Sequence, residues 1–72
     1  MKETYFAATV ERGGRYASFV LAVENGTNLL LRLQNTQGLT FITPCDNKRQ
    51  ADELVYVWNE SHKKNGVYLY TL

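Results

Sequence analysis

The sequence predicts a single small α+β domain: an N-terminal β-hairpin and a third strand, with a C-terminal amphipathic helix packed on one face. Three observations carry this. A Gly-Gly pair separates two β-rich runs near the start. A run of apolar residues at helical spacing occupies residues 51–62. Between them lies a short apolar stretch ending at a proline. The expected order is ββαβα, with a final edge strand as an option.

The hairpin covers residues 4–23. Thr4 to Val10 and Tyr16 to Val23 are rich in aromatic and β-branched residues, and Gly13-Gly14 suits a two-residue turn in which both positions take positive φ. That turn sets the register: Val10 faces Ala17, Ala8 faces Phe19, Phe6 faces Leu21 and Thr4 faces Val23. These pairs share one almost wholly apolar side. The other side carries Tyr5, Ala7, Thr9, Glu11, Tyr16, Ser18, Val20 and Ala22.

Residues 24–37 admit two readings. Asn25-Gly26 is a hairpin signal. A tight turn there would set Arg32 beside Phe19, a buried charge. A short helix from Asn28 to Gln34 avoids that conflict, with Thr27 or Asn28 as cap and Leu29, Leu30 and Leu33 as its apolar stripe. The helix is preferred.

Leu39–Thr43 reads as a strand stopped by Pro44. The main helix follows. Asn47 caps it, with Gln50 three residues on. Ala51, Leu54, Val55, Trp58 and His62 form its stripe. Arg49–Glu53 and Glu60–Lys64 are opposite charges at i,i+4, and Gly66 stands where a C′ glycine ends a helix. The helix is expected to lie across the Phe-lined side, with Trp58, Phe6, Phe19 and Leu54 at the centre of the core. Residues 67–71 have strand composition and add an edge strand or lie across the core.

Composition bounds the rest. Seventy-two residues make one domain (1–72), and 44% hydrophobic content is that of a folded chain. A chain this short buries only about 60% of its unfolded surface, so a partner would add real stability. The net charge of +1 gives no global attraction to nucleic acid or anionic lipid. One cysteine, Cys45, allows no internal disulfide. The N-terminus lacks the apolar stretch of a signal peptide and no run is long enough to span a bilayer, so a cytoplasmic, non-membrane protein is expected.

From Lys48 to Gly66 the chain carries Lys48-Arg49-Gln50-Ala51, Trp58-Asn59 and Lys63-Lys64-Asn65-Gly66. This pattern resembles the ending of small proteins of Firmicutes and related gut bacteria to which no activity is assigned. Gln50 stands where an acidic residue is more usual in that group, and His62 where an aromatic is. The resemblance implies a bacterial or phage-related source and no particular chemistry.

No catalytic, cofactor or metal site is expected. Cys45 precedes the helix N-terminus, where a dipole favours thiolate. His62 lies near the other end of the same helix, about 22 Å away at 1.5 Å per residue, so the two form no dyad. One His and one Cys do not complete a zinc site. Arg12 and Arg15 beside Tyr16, with Lys48 and Arg49, are candidate nucleic-acid contacts. Tyr5, Ala7, Tyr16 and Val20 form a candidate partner surface, because the second hairpin face is semi-apolar and left open by the expected helix position; Tyr56, off the helix stripe beside Val57, is a further candidate contact. Asn59, at the stripe edge, is suited to tying the helix to a loop backbone. The expected function is therefore a non-enzymatic protein-interaction or regulatory module. Its partner is another protein or a second copy; a nucleic-acid-binding accessory protein ranks second.

Overall fold

The computed structural model describes residues 2–26, 28, 33 and 36–70. Strands β1 (Glu3–Arg12) and β2 (Arg15–Glu24) form the hairpin, β3 (Leu39–Cys45) pairs on the other side of β1, and helix α1 (Lys48–Lys64) packs against the sheet. The sheet is antiparallel, in the order β2-β1-β3.

Hairpin register follows the alternation of the sequence: Val10 opposes Ala17, Ala8 opposes Phe19 and Phe6 opposes Leu21. Gly13 and Gly14 both take positive φ, 60° and 84°, as a primed turn requires. The Glu11 carboxylate accepts from the Gly14 N–H at 2.6 Å and steadies the turn.

β3 runs past Pro44 to Cys45, one turn of the pleat further than the proline suggests. On β1 the odd-numbered residues point their backbone groups toward β3, as the Glu11 N–H does in bonding the Gly38 carbonyl. Tyr5 pairs with Cys45 and Ala7 with Thr43, so Pro44 lies between them with its nitrogen toward the outer edge. No ladder bond is lost there, which is where a sheet tolerates proline. A bulge at Thr9/Val10 bends β3, and the Thr40 hydroxyl donates to the Thr9 carbonyl at 3.1 Å.

The helix ends are as the sequence reads. The Asn47 side chain accepts from the Gln50 N–H at 2.8 Å, and the Gln50 side chain accepts from Asp46 N–H. Gly66 N–H bonds the Lys63 carbonyl and Val67 N–H the His62 carbonyl, a Schellman ending. Arg49 pairs with Glu53, while Glu60 takes Lys63 rather than Lys64, and Lys48 adds a pair with Asp52.

The helix lies on the tyrosine side of the sheet, not the Phe-lined side. Ala7, Cys45 and Ala51 are buried together, with Tyr5, Val20, Leu54, Val55 and Trp58 packed around them. Two physical reasons decide this. Ala7, Thr9, Ser18 and Ala22 are small, so the helix backbone comes close over them. The helix stripe also carries Asn59 and His62. On a Phe/Leu surface their polar atoms would be stranded, at roughly 1–3 kcal/mol each; Ser18 gives them partners. The opposite face is buried too, at Ala8, Val10, Ala17, Leu21 and Val23. The residues expected at the core centre (Trp58, Phe6, Phe19, Leu54) are only half-buried: Trp58 and Leu54 flank the small side chains at the point of closest approach, and Phe6 and Phe19 lie on the face away from the helix. Of the helix expected over 28–34, only Asn28 and Leu33 are described, Leu33 as helical; the rest lies outside the described residues.

Ala51 tests the close approach. Its side chain is fully buried against Ala7 and Cys45. Ala51→Leu adds three carbons where no space exists. It is expected to cost about 1–3 kcal/mol and to lower Tm by roughly 5–20 °C, read by a thermal melt. An unchanged Tm would mean the helix sits further from the sheet.

Candidate functional site

The surface with the most defined chemistry is the outer edge of β2. This strand is at the sheet margin, so every second residue directs its N–H and C=O away from β1. The bonds made by Tyr16 and Ser18 show that these are the even-numbered residues. Tyr16 N–H donates to the Val67 carbonyl at 2.7 Å, and Leu69 N–H donates to the Tyr16 carbonyl at 2.8 Å. Among the described residues the tail thus makes a single parallel bridge, Tyr16 with Tyr68.

At Ser18 a side chain replaces the neighbouring strand. The Asn59 carboxamide accepts from the Ser18 N–H at 2.8 Å and donates to the Ser18 carbonyl at 3.0 Å. A primary amide has the same donor–acceptor pair as a peptide unit, so it closes one rung of a ladder. The stripe-edge position of Asn59 points to a tie with a loop backbone; the backbone it bonds is instead that of a strand margin, at Ser18.

Beyond Ser18 the edge is open among the described residues. Val20, Ala22 and Glu24 continue the same alternation, and their outward backbone groups have no hydrogen-bond partner among the described residues. The other margin, β3, is interrupted by Pro44, which has no N–H to offer.

Beneath Asn59 is a buried polar chain. Thr9 and Ser18 hydroxyls lie 2.9 Å apart, and the Ser18 hydroxyl is 3.2 Å from His62 Nε2. The Tyr16 ring stacks on the imidazole at 5.7 Å between centroids. A serine beside a histidine has the form of a nucleophile and its base. Here Ser18 is only 5% exposed, its hydroxyl is shared with Thr9, and no carboxylate bonds His62 among the described residues. The chain satisfies polar groups trapped between helix and sheet.

Burial holds the His62 imidazole below its usual value of 6.5. The folded state therefore favours neutral His62, and the unfolded state binds the extra proton. Stability from this group is full above about pH 6.5 and is lost as pH falls through that value toward the lower folded one. His62 is the chain's only histidine. Wild type is expected to lose Tm between pH 7 and pH 5, with His62→Gln showing a flatter profile. Parallel profiles in thermal melts would contradict this.

The expected partner surface is largely consumed by the fold. Ala7 is fully buried, Tyr5 and Val20 pack under α1, and Tyr16 is stacked on His62. Only Tyr56 of that group is well exposed, at 67%. It shares a helix flank with Asn59, three residues on, and so stands over the β2 margin. Val57, also exposed, is about 100° further round the helix, so the two form no common surface. On Val57's side Phe41 is half-exposed and meets Trp58 edge-on at 5.4 Å.

The basic candidates separate. Arg12 and Arg15 oppose each other at the hairpin turn, and Arg15 donates to the Gly66 carbonyl beyond the end of α1. Lys48 and Arg49 begin α1, about 25 Å away along its 17 residues, and are paired with Asp52 and Glu53. They do not form one patch. Cys45 is buried in the core beside Ala7 and Ala51, near the opposite end of α1 from His62. Among the described residues no three of His, Cys, Asp and Glu come together as metal ligands. No helix among them is long and apolar enough to cross a membrane.

Comparison with known protein families, curated proteins and solved structures finds no match. The reading of function therefore rests on the geometry alone.

Proposed function

We propose that this protein is a non-enzymatic interaction module that receives an extended strand of its partner along the outer edge of β2. One observation carries the reading. The β2 margin is sealed at Tyr16 and Ser18, and its outward groups at Val20, Ala22 and Glu24 have no partner among the described residues. Native sheets close their margins because unpaired N–H and C=O groups template pairing with other chains. A margin closed on one side of Ser18 and open on the other supplies backbone bonds for a short added strand. Exposed Tyr56 stands over the same stretch and offers an apolar contact.

Selection of a random-peptide display library on the immobilised protein tests this. Binders are expected to be extended, with alternating apolar residues, and to lose at least tenfold in affinity on Ala22→Pro. That substitution removes an outward N–H that β1 does not use, at a strand margin where proline is tolerated. Binders indifferent to Ala22→Pro in a folded variant would reject the reading.

A further inference from the structure

We infer that the strand received at the β2 edge is β2 of a second copy, joined antiparallel about a two-fold axis at Ala22. The inference rests on the strand-addition reading above and adds the identity of the partner. The open stretch fixes the register. Its outward residues are Val20, Ala22 and Glu24, and Ser18 is already occupied by Asn59. An antiparallel pairing that uses all three and nothing else sets Ala22 against Ala22 of the second copy, and Val20 against Glu24 in both directions.

The side chains then agree with the register. On the Phe-lined face, Leu21 of each copy meets Val23 of the other, extending an apolar surface already buried in the single chain. On the helix face, two alanines meet at the axis and leave room for the backbones to close. Each Glu24 faces a valine, so no like charges oppose across the new pair. The ladder would gain a pair of backbone bonds at the axis and a pair at each Val20–Glu24 contact. A two-fold perpendicular to the sheet leaves both α1 helices on one side, with the Asn59 and Tyr56 flanks turned toward each other. A contact of one short strand is small, so the dimer belongs to the weak, concentration-dependent class.

Analytical ultracentrifugation with residue-resolved amide exchange tests this on the whole chain. Mass is expected to rise from 8.3 kDa toward twice that value between roughly 10 µM and roughly 1 mM. Over the same range the Val20, Ala22 and Glu24 amides should slow at least tenfold, while Tyr16 and Ser18 stay protected throughout. Ala22→Pro, shown to be folded by circular dichroism, should remain at 8.3 kDa. The exchange measurement needs no variant and stands if that one fails to fold. A chain that remains monomeric at 1 mM overturns the inference, as does a dimer whose new protection falls on β3 or α1. A monomer whose selected peptides still depend on Ala22 would leave strand addition standing with a different partner. Peptides indifferent to Ala22 would remove the parent reading as well.

Discussion

Replacing Asn59 by leucine is expected to destabilise the protein by about 2–4 kcal/mol. The side chain is nearly isosteric, so the loss is one of hydrogen bonds rather than volume. Ser18 N–H and C=O both depend on the Asn59 amide. Leaving a partly buried donor and acceptor unmade costs about 1–2 kcal/mol apiece within the usual range. A 72-residue chain has roughly 4–11 kcal/mol in all, so the variant forfeits a large share. Urea unfolding gives the figure directly. A second consequence is specific to this site. Without Asn59 the open edge lengthens to include Ser18, and self-association or aggregation should increase. Loss of stability with no change in association would mean the amide acts only as a helix tether. Loss below about 0.5 kcal/mol would show that water replaces it freely.

Gly38→Ala is the second large effect, expected at about 2–4 kcal/mol. Gly38 has φ of +81°, which costs an alanine about 1–2 kcal/mol by itself. The added methyl would also press into the Glu11 backbone carbonyl, which does not yield as a flexible side chain does. The Glu11 N–H to Gly38 carbonyl bond, 2.8 Å long, locks the start of β3 to β1 at this point, so relaxation of the clash breaks it. Gly26→Ala separates the two contributions. It has φ of +94° but no neighbour among the described residues within 4 Å of an added methyl, so only the conformational part applies. Denaturant melts of both should show Gly38→Ala clearly the worse. Equal losses would mean that backbone approach at Gly38 is slack.

The hairpin, its register and the helix with its caps were legible from the chain because each is local. Gly13-Gly14 admits few turns, strand alternation then fixes every pair, and Asn47 and Gly66 bracket a stripe with helical period. The choice of sheet face was not legible from hydrophobicity. Phe6, Phe19 and Leu21 make the more apolar side, and counting apolar atoms sends the helix there. The deciding signal was polar: Asn59 and His62 lie on the helix stripe and need partners, and Ser18 and Thr9 are on the tyrosine side. Matching polar residues across the two elements would have found the arrangement. The same oversight hid the surface proposed for binding. With the helix on the tyrosine side, Tyr5, Ala7 and Val20 become core. The surface proposed for binding moves from a sheet face to a sheet margin, where backbone rather than side chains would make the contacts. Sequence shows margins poorly, because strand order is a non-local property. Nothing near Pro44 says that its nitrogen faces outward until β3 is known to lie beside β1.

Amide exchange at high dilution, about 10 µM, is the most direct test of how the β2 margin is built. The structure predicts an ordered contrast along one strand: Tyr16 and Ser18 N–H slow, Val20, Ala22 and Glu24 N–H fast, and the inward amides of Phe19 and Leu21 slow throughout. Uniform protection of the even-numbered amides in the dilute monomer would contradict the open margin, and a Ser18 amide as fast as Ala22 would contradict its closure by Asn59.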